Sequence, residues 1–542
     1  MAHRARHLRG SPVRDPLPLL SPPPAGGVDP GRESGPFQPP PPEMAPFDGA
    51  DGGRELHRGG RVCRRGDPGD AHDPGRLPVR VRGRSGRLFR RRGVAEGDRY
   101  EAVGRGAVIV VLGGGVTGLA AARVLGEAGE EHVVLEREGE PGGHCRSLVA
   151  GEYTFDRSGH FLHSSDPEML AWILGLPESS WMERERDARV WLRGRLTPYP
   201  FQANLHGHDP AFVRQCLSGF AAERIREAVG GDRPPRNFEE WLATRFGRAM
   251  CRAFFFPFNR KMWRAPLSRL GYGWTGWSVP VPRFEELLAG ARGDTREGMG
   301  YNAVFRYPSS GGIGALPAAL ARSLRAPVRT GAEVVQVDLT KRVVRTADGA
   351  TVPFRAAIST IPLPALARMS RGLSPNARRA AGSLSWVKVL AINLGVREAG
   401  QTPGHWVYVP EREYSFFRAG FLSNVAAYAS PKGCVSLFVE KSFPSGARID
   451  EGLEVERAVR GLRRMGVLTR RSVLEEVRPV LLDPAYVLYH GARDRALPLL
   501  SEEFRRNGVL LAGRYGSWEY SGMERSIAGG IRAAREAVAG RA

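Results

Sequence analysis

Cysteine is scarce in this 542-residue chain, and the five that occur, Cys63, Cys145, Cys216, Cys251 and Cys434, lie far apart with no CxxC pair. That spacing offers neither a disulfide framework nor a set of metal ligands; it suits a reducing compartment, so the expectation is a cytoplasmic protein without a metal. Long apolar runs are missing as well. No stretch of about twenty apolar residues provides a membrane span, and no uninterrupted apolar segment follows a basic start as in a secretory signal. Lysine is absent from residues 1–106, which hold 20 Arg against 13 acidic residues and carry +7 of the formal net charge of +22. Proline- and glycine-rich strings such as PPPAGG and PFQPPPPEMAPF fill residues 1–105 without strand or helix periodicity. They predict a disordered leader, or a segment upstream of the true translation start. The remaining positive charge is scattered rather than striped, which argues against nucleic acid and for attraction of an anionic small molecule.

What is present begins at Ala107. AVIVVLGGG is a short apolar run ending in glycine, as a buried parallel strand does, and TGLAAARVLGEAG continues at helical spacing. Gly113, Gly115 and Gly118 stand in GxGxxG register between them. In that arrangement the first glycine makes the turn, the second admits a pyrophosphate, and the third packs helix on strand. A second strand, HVVLE, ends at Glu136, eighteen residues beyond Gly118, where a carboxylate can bond ribose hydroxyls. Strand, glycines, helix, strand and acid together predict a dinucleotide site.

The next string, PGGHCRS, brings Gly142, Gly143 and Arg146. Such a second glycine pair followed by a basic residue resembles the FAD-binding start of the superfamily that contains the amine oxidases, protoporphyrinogen oxidases and UDP-galactopyranose mutases. Two later segments agree. VRTGAEVVQVDLTKRVVRTADGATVPFRAAISTIP reads as a strand meander with a turn at Asp348-Gly349, and Val335 within it is expected at the cofactor. GVLLAGRYGSWEYSGMERSIAGGI reads as strand, glycine-rich turn and helix, with Arg514 beside the flavin and the amides around Met523 to Ser526 facing it. The resemblance implies an α/β fold: a Rossmann-like FAD-binding domain assembled from discontinuous segments (106–165, 301–379 and 501–542), a helical insertion at 166–300 and a sheet-containing substrate domain at 380–500.

The insertions resemble the UDP-galactopyranose mutases, the eukaryotic type above all, through PYPFQANL, FFFPFNRKMWRAP, GYNAVFRYP, HWVYVPEREYSFFRAGF and GRYGSWEYSG in family order. In that family a reduced flavin acts as nucleophile on the anomeric carbon of a nucleotide sugar and contracts its ring without net redox change, with NAD(P)H as a reductant. Carried over residue by residue, the resemblance implies Gly159 and His160 beside the flavin, Asn302 near the sugar and Arg418 on the diphosphate. It implies Tyr199, Gln202, Asn259 and Trp263 around the nucleotide, and Tyr408, Tyr486 and Tyr520 on the phosphates. Ordinary readings stand beside these: a structural loop histidine, an aromatic core at helical spacing, a solvated arginine, half-buried strand tyrosines.

Two positions depart from the family pattern. The other diphosphate arginine falls on Ser278, with Arg269 or Arg283 as substitutes, and an expected phenylalanine is His163. The reading is therefore an FAD-dependent, mutase-like enzyme acting on a nucleotide sugar for surface polysaccharide. An oxidase of the amine oxidase or protoporphyrinogen oxidase type and a non-catalytic binder of a glycan precursor remain as alternatives.

Overall fold

The computed structural model describes residues 107–230, 233–276, 279–294, 299 and 303–540, so the leader expected at 1–105 lies outside the described residues. The chain opens with strand β1 (Val108–Leu112), helix α1 (Val116–Glu127) and strand β2 (His132–Leu135). β1 is apolar at every position because both of its faces are covered, as in parallel sheets generally. Val108, Val110 and Leu112 enter one core with Phe354, Phe504 and Trp518. Ile109 and Val111 enter another with Ala121 and Leu125 of α1 and Ala534 of the C-terminal helix Met523–Val538.

A seven-stranded sheet grows around β1. β2 and the strand Thr351–Ser359 flank it in parallel, and Val509–Leu511 pairs in parallel with the latter. Thr351–Ser359 belongs to two structures at once. Its first residues close an antiparallel meander with Val343–Thr346 and Val334–Asp338, while its last residues lie between β1 and Val509–Leu511. Burial follows this division: exposed and buried residues alternate at the meander end, and burial is continuous where both faces are covered. Three separated stretches of sequence thus build one sheet.

The second seven-stranded sheet runs in the order Val473–Val487, Trp386–Arg397, Cys434–Pro444, Arg418–Phe421, Trp406–Tyr408, Ala188–Leu192, Arg195–Pro198. The insertion expected to be helical therefore contributes a hairpin to this sheet, and its strand Trp181–Glu185 pairs with Val304–Pro308. Its first helix, Pro167–Leu174, precedes these strands, and the helices from Pro210 onward gather an aromatic core that includes Phe201, Phe220, Trp241, Phe246 and Trp263. A π-helical turn at Cys251–Phe255 joins the helices Phe238–Met250 and Phe256–Trp263. Such turns widen a helix and recur at functional sites. This one lies at the wall between the helical core and the second sheet. No helix among the described residues is long and apolar enough to cross a membrane.

Candidate functional site

Between the sheets lies a cavity of about 610 Å³. One end is the loop between β1 and α1. Gly113 holds a φ of +100° there, and a Cβ on Gly118 would collide with the carbonyl oxygen of Gly113, so the helix sits on the turn only because residue 118 has no side chain. Gly115 differs: a Cβ there meets nothing within 4 Å, because it faces the open cavity. α1 has no side-chain cap, which leaves its first amides directed at whatever fills that space. The Glu136 carboxylate accepts from Gly114 N at 2.7 Å and Glu138 N at 2.9 Å, which fixes its orientation at the cavity wall. The residues present thus fit a dinucleotide: an uncapped helix start for pyrophosphate and an oriented carboxylate for ribose.

The other end carries the charge. Arg418 and Glu440 stand directly opposite each other on neighbouring antiparallel strands. Arg418 Nε and Nη2 both reach Glu440 Oε2 at 2.6 Å, while Ser158 Oγ and Gly159 N donate to Oε1 at 2.6 and 3.3 Å. Burial opposes the charge on Glu440, but Arg418 and these two donors hold its carboxyl below the usual carboxylate range. Arg418 is raised in turn: burial opposes its charge, and Glu440 overrides burial. Gly159 is confined by Phe438, whose ring would lie 2.5 Å from a Cβ at that position. His160, in the same loop, is driven down to about 4 by burial, with Arg514 and Arg418 adding to the effect against Glu440, and its Nδ1 lies 3.1 Å from Ser158 O. The loop leaves a hairpin whose Asp156 is pushed up to about 6 by burial, although Ser147 Oγ, Tyr307 OH and Ile313 N all donate to it.

A flavin containing amine oxidoreductase family model matches residues 116–538. The chain belongs to that family. Its fold is similar to a reduced UDP-galactopyranose mutase, with 26% identity and a TM-score of 0.75 over 80% of this chain and 94% of that one. It also resembles a putative protoporphyrinogen oxidase from Exiguobacterium sp. 255-15, at 17% identity and a TM-score of 0.60 over 80% and 98% of the two chains. A fatty acid isomerase from P. acnes shares the fold at 14% identity and a TM-score of 0.55, over 80% and 99%.

In this family member the cavity wall brings together Gly113, Gly115, Glu136, Gly142, Gly143, Gly159, His160, Arg514, Met523 and Ser526 from five separate stretches of sequence. Tyr408, Arg418, Tyr486 and Tyr520 border it and also a smaller pocket of about 130 Å³, which Tyr199, Gln202 and Asn259 line with Phe254, Phe258 and Phe417. Asn302 and Ser278 lie outside the described residues.

Several expectations are corrected. Val335 is 49% exposed and its side chain turns away from the cavity; strand alternation gives the wall position to Val334. Arg146 is spent on Glu138 Oε2 at 3.1 Å and Glu140 O at 3.2 Å, and Arg157 lines the cavity instead. Trp263 lines neither space: it is fully buried, donates to Asn259 Oδ1 at 3.1 Å and supports Tyr486 and Tyr520 edge-on and Trp274 at a tilt. Asn259 reaches the pocket wall with both ends of its amide already engaged, its Nδ2 bonding Phe255 O at 2.8 Å. Arg269 and Arg283 are exposed and line neither space, so neither stands in for the missing arginine. His163 does line the cavity, edge-on to Phe305, and burial pushes it down to about 4, so a neutral ring occupies the place expected for phenylalanine.

Glu440 escaped the sequence reading. Its one signal is an acid inside the largely apolar strand CVSLFVEKSF, and that signal names no partner.

Two measurements check this geometry. Gly118→Ala is expected to lower the thermal stability of the cofactor-free chain by about 1–3 kcal/mol, because the carbonyl it strikes is backbone and cannot swing aside. Gly115→Val should leave that stability nearly intact and abolish retention of FAD; equal effects of both changes would contradict the geometry. Separately, Glu440→Gln should cost about 3–5 kcal/mol in denaturant unfolding, as removal of one partner from a buried ion pair does. Unfolding identical to the parent chain would show that the pair does not support the fold.

Proposed function

We propose that the chain binds FAD and rearranges a nucleotide sugar as the UDP-galactopyranose mutases do. The observation that carries this reading is the shared wall: Tyr408, Arg418, Tyr486 and Tyr520 border both the dinucleotide cavity and the aromatic pocket. A substrate whose phosphates sit at that wall has its base among aromatic rings and its sugar facing the cavity toward His160. Glu136 would bond the adenosine ribose of FAD, the α1 amides its pyrophosphate, and the start of the helix Met523–Val538 its ring carbonyl. When bound, the flavin supplies the nucleophile for ring contraction.

The protein's own residues orient and neutralise. Arg418 presents a guanidinium steadied by Glu440, suited to phosphate oxygens, and the three tyrosines add hydroxyl donors. Gln202 donates to Pro280 O at 2.6 Å, and its Oε1 has no partner among the described residues, which suits an N–H on a base edge. His160 is neutral at pH 7 and therefore available as a hydrogen-bond partner without a charge of its own. Gly159 brings backbone to the cavity where any side chain would strike Phe438.

One observation favours the second reading, a flavin oxidase. Glu440 already balances Arg418, and Arg269 and Arg283 lie elsewhere, so the described wall between the two spaces is less cationic than a diphosphate normally selects.

Anaerobic incubation decides between the two. The FAD-loaded chain, reduced by dithionite or NAD(P)H, is expected to convert UDP-galactopyranose or a related nucleotide hexose to its furanose isomer over many turnovers per reducing equivalent, with no conversion by the oxidised protein. No isomer from UDP-, dTDP- or GDP-hexoses, together with substrate-dependent oxygen uptake on an amine or porphyrinogen, would replace the mutase reading with the oxidase.

A further inference from the structure

Arg514 follows the strand Val509–Leu511 of the cofactor sheet, and its neighbour Gly513 is packed so tightly on Thr117 of α1 that a Cβ would collide with it. Arg514 therefore lines the cavity just past the start of α1, on the way to Tyr486 and Tyr520. A guanidinium has five N–H groups. Here Nε and Nη2 share Ala485 O at 3.3 and 2.9 Å, Nη1 reaches Ser521 O at 2.6 Å, and the Tyr515 hydroxyl is a further hydrogen-bond partner. All three partners are uncharged. The rings of Tyr520, Tyr486 and Tyr515 lie 4.9, 5.4 and 5.7 Å from the guanidinium carbon. Among the described residues no carboxylate forms an ion pair with Arg514, whereas Arg418 has Glu440. A permanent charge without a counter-ion in such surroundings is costly unless a ligand brings the anion.

The pyrophosphate of FAD is matched by the α1 amides, and its adenosine by Glu136. The rest of the cavity wall, which includes Arg514, His160 and Met523, would then face its ring system. We propose that Arg514 is the counter-charge for the flavin ring in its two-electron-reduced state, so that reduction takes up one proton rather than two. Oxidised flavin, two electrons from dithionite or a reduced nicotinamide and one proton give a reduced ring with one negative charge, and the guanidinium stands where a second proton would otherwise be needed. The ionisable groups around Arg514 stay constant near neutrality. His144 and His160 are held neutral, driven down to about 3 and about 4 chiefly by burial. Burial likewise raises Cys145 to about 12 and keeps Tyr486, Tyr515 and Tyr520 protonated, while the Arg418–Glu440 pair remains ionised. Asp156, which acts on Cys145 and is pushed up to about 6 by burial, is the exception, so the titration is repeated in Asp156→Asn, and a slope common to both proteins reports protons on the flavin itself.

The proposal rests on FAD occupying the cavity and is independent of which substrate reacts there. Spectroelectrochemical titration of the FAD-loaded full chain tests it. The midpoint potential should fall by about 30 mV per pH unit from about pH 5.5 to about pH 8, one proton per two electrons. A fall of about 59 mV per unit, two protons, overturns it. Arg514→Met should disfavour the reduced form at least tenfold at pH 7, which lowers the potential by about 30 mV, and Arg514→Lys should restore most of the difference. An unchanged potential in Arg514→Met contradicts the assignment; if that variant holds no flavin, the parent's slope and the potential of Arg514→Lys decide. Failure of the parent chain to take up FAD overturns the cofactor reading and this proposal with it, whereas bound flavin with a two-proton slope overturns this proposal alone.

Discussion

A fully buried carboxylate is tolerated only when its charge is matched, and Glu440 is matched from two directions at once. Arg418 reaches it from the neighbouring strand of the second sheet, and Ser158 and Gly159 reach it from the loop that follows the first glycine-rich segment. The same carboxylate therefore fixes the arginine that faces the aromatic pocket and the backbone that faces the dinucleotide cavity. Movement of either takes a partner away from a fully buried carboxylate. This linkage sets the distance between the two halves of the site.

The charges of the cavity divide accordingly. Arg418 is balanced within the protein, while Arg514 is held by uncharged groups, two carbonyls and the neighbouring tyrosines. His160 is kept neutral chiefly by burial, with both arginines adding to the effect against Glu440. Arg514 thus brings to the cavity wall a positive charge with no carboxylate partner among the described residues, while the Arg418–Glu440 pair at the border with the pocket neutralises itself. Such an arrangement suits an anionic ring on one side and a ligand held by geometry on the other.

The sequence disclosed most where structure is local. Strand, glycine turn, helix, strand and acid follow one another within thirty residues, Val108 to Glu136, and each depends on neighbours in sequence, so the cofactor end was legible. The meander was legible for the same reason, yet a one-residue ambiguity of strand phase was enough to name Val335 where Val334 faces the cavity. Side-chain commitments were not legible. Arg146 goes to Glu138 and Trp263 to Asn259, and nothing in their motifs says that these groups are used before a ligand arrives. Glu440 was missed because its partner is set by the register of two strands twenty-two residues apart in sequence. The hairpin at 188–198 went unrecognised because its pairing partner, Trp406–Tyr408, lies more than two hundred residues away.

The central claim is that cofactor cavity and aromatic pocket form one site through the wall that carries Arg418. The most direct measurement is a titration of UDP into the FAD-loaded chain, followed by flavin absorbance and fluorescence, beside the same titration of Arg418→Lys. A saturable change in the flavin spectrum, weakened at least tenfold by the lysine, is the predicted result. A flavin spectrum indifferent to UDP, or a response identical in both proteins, would contradict the account.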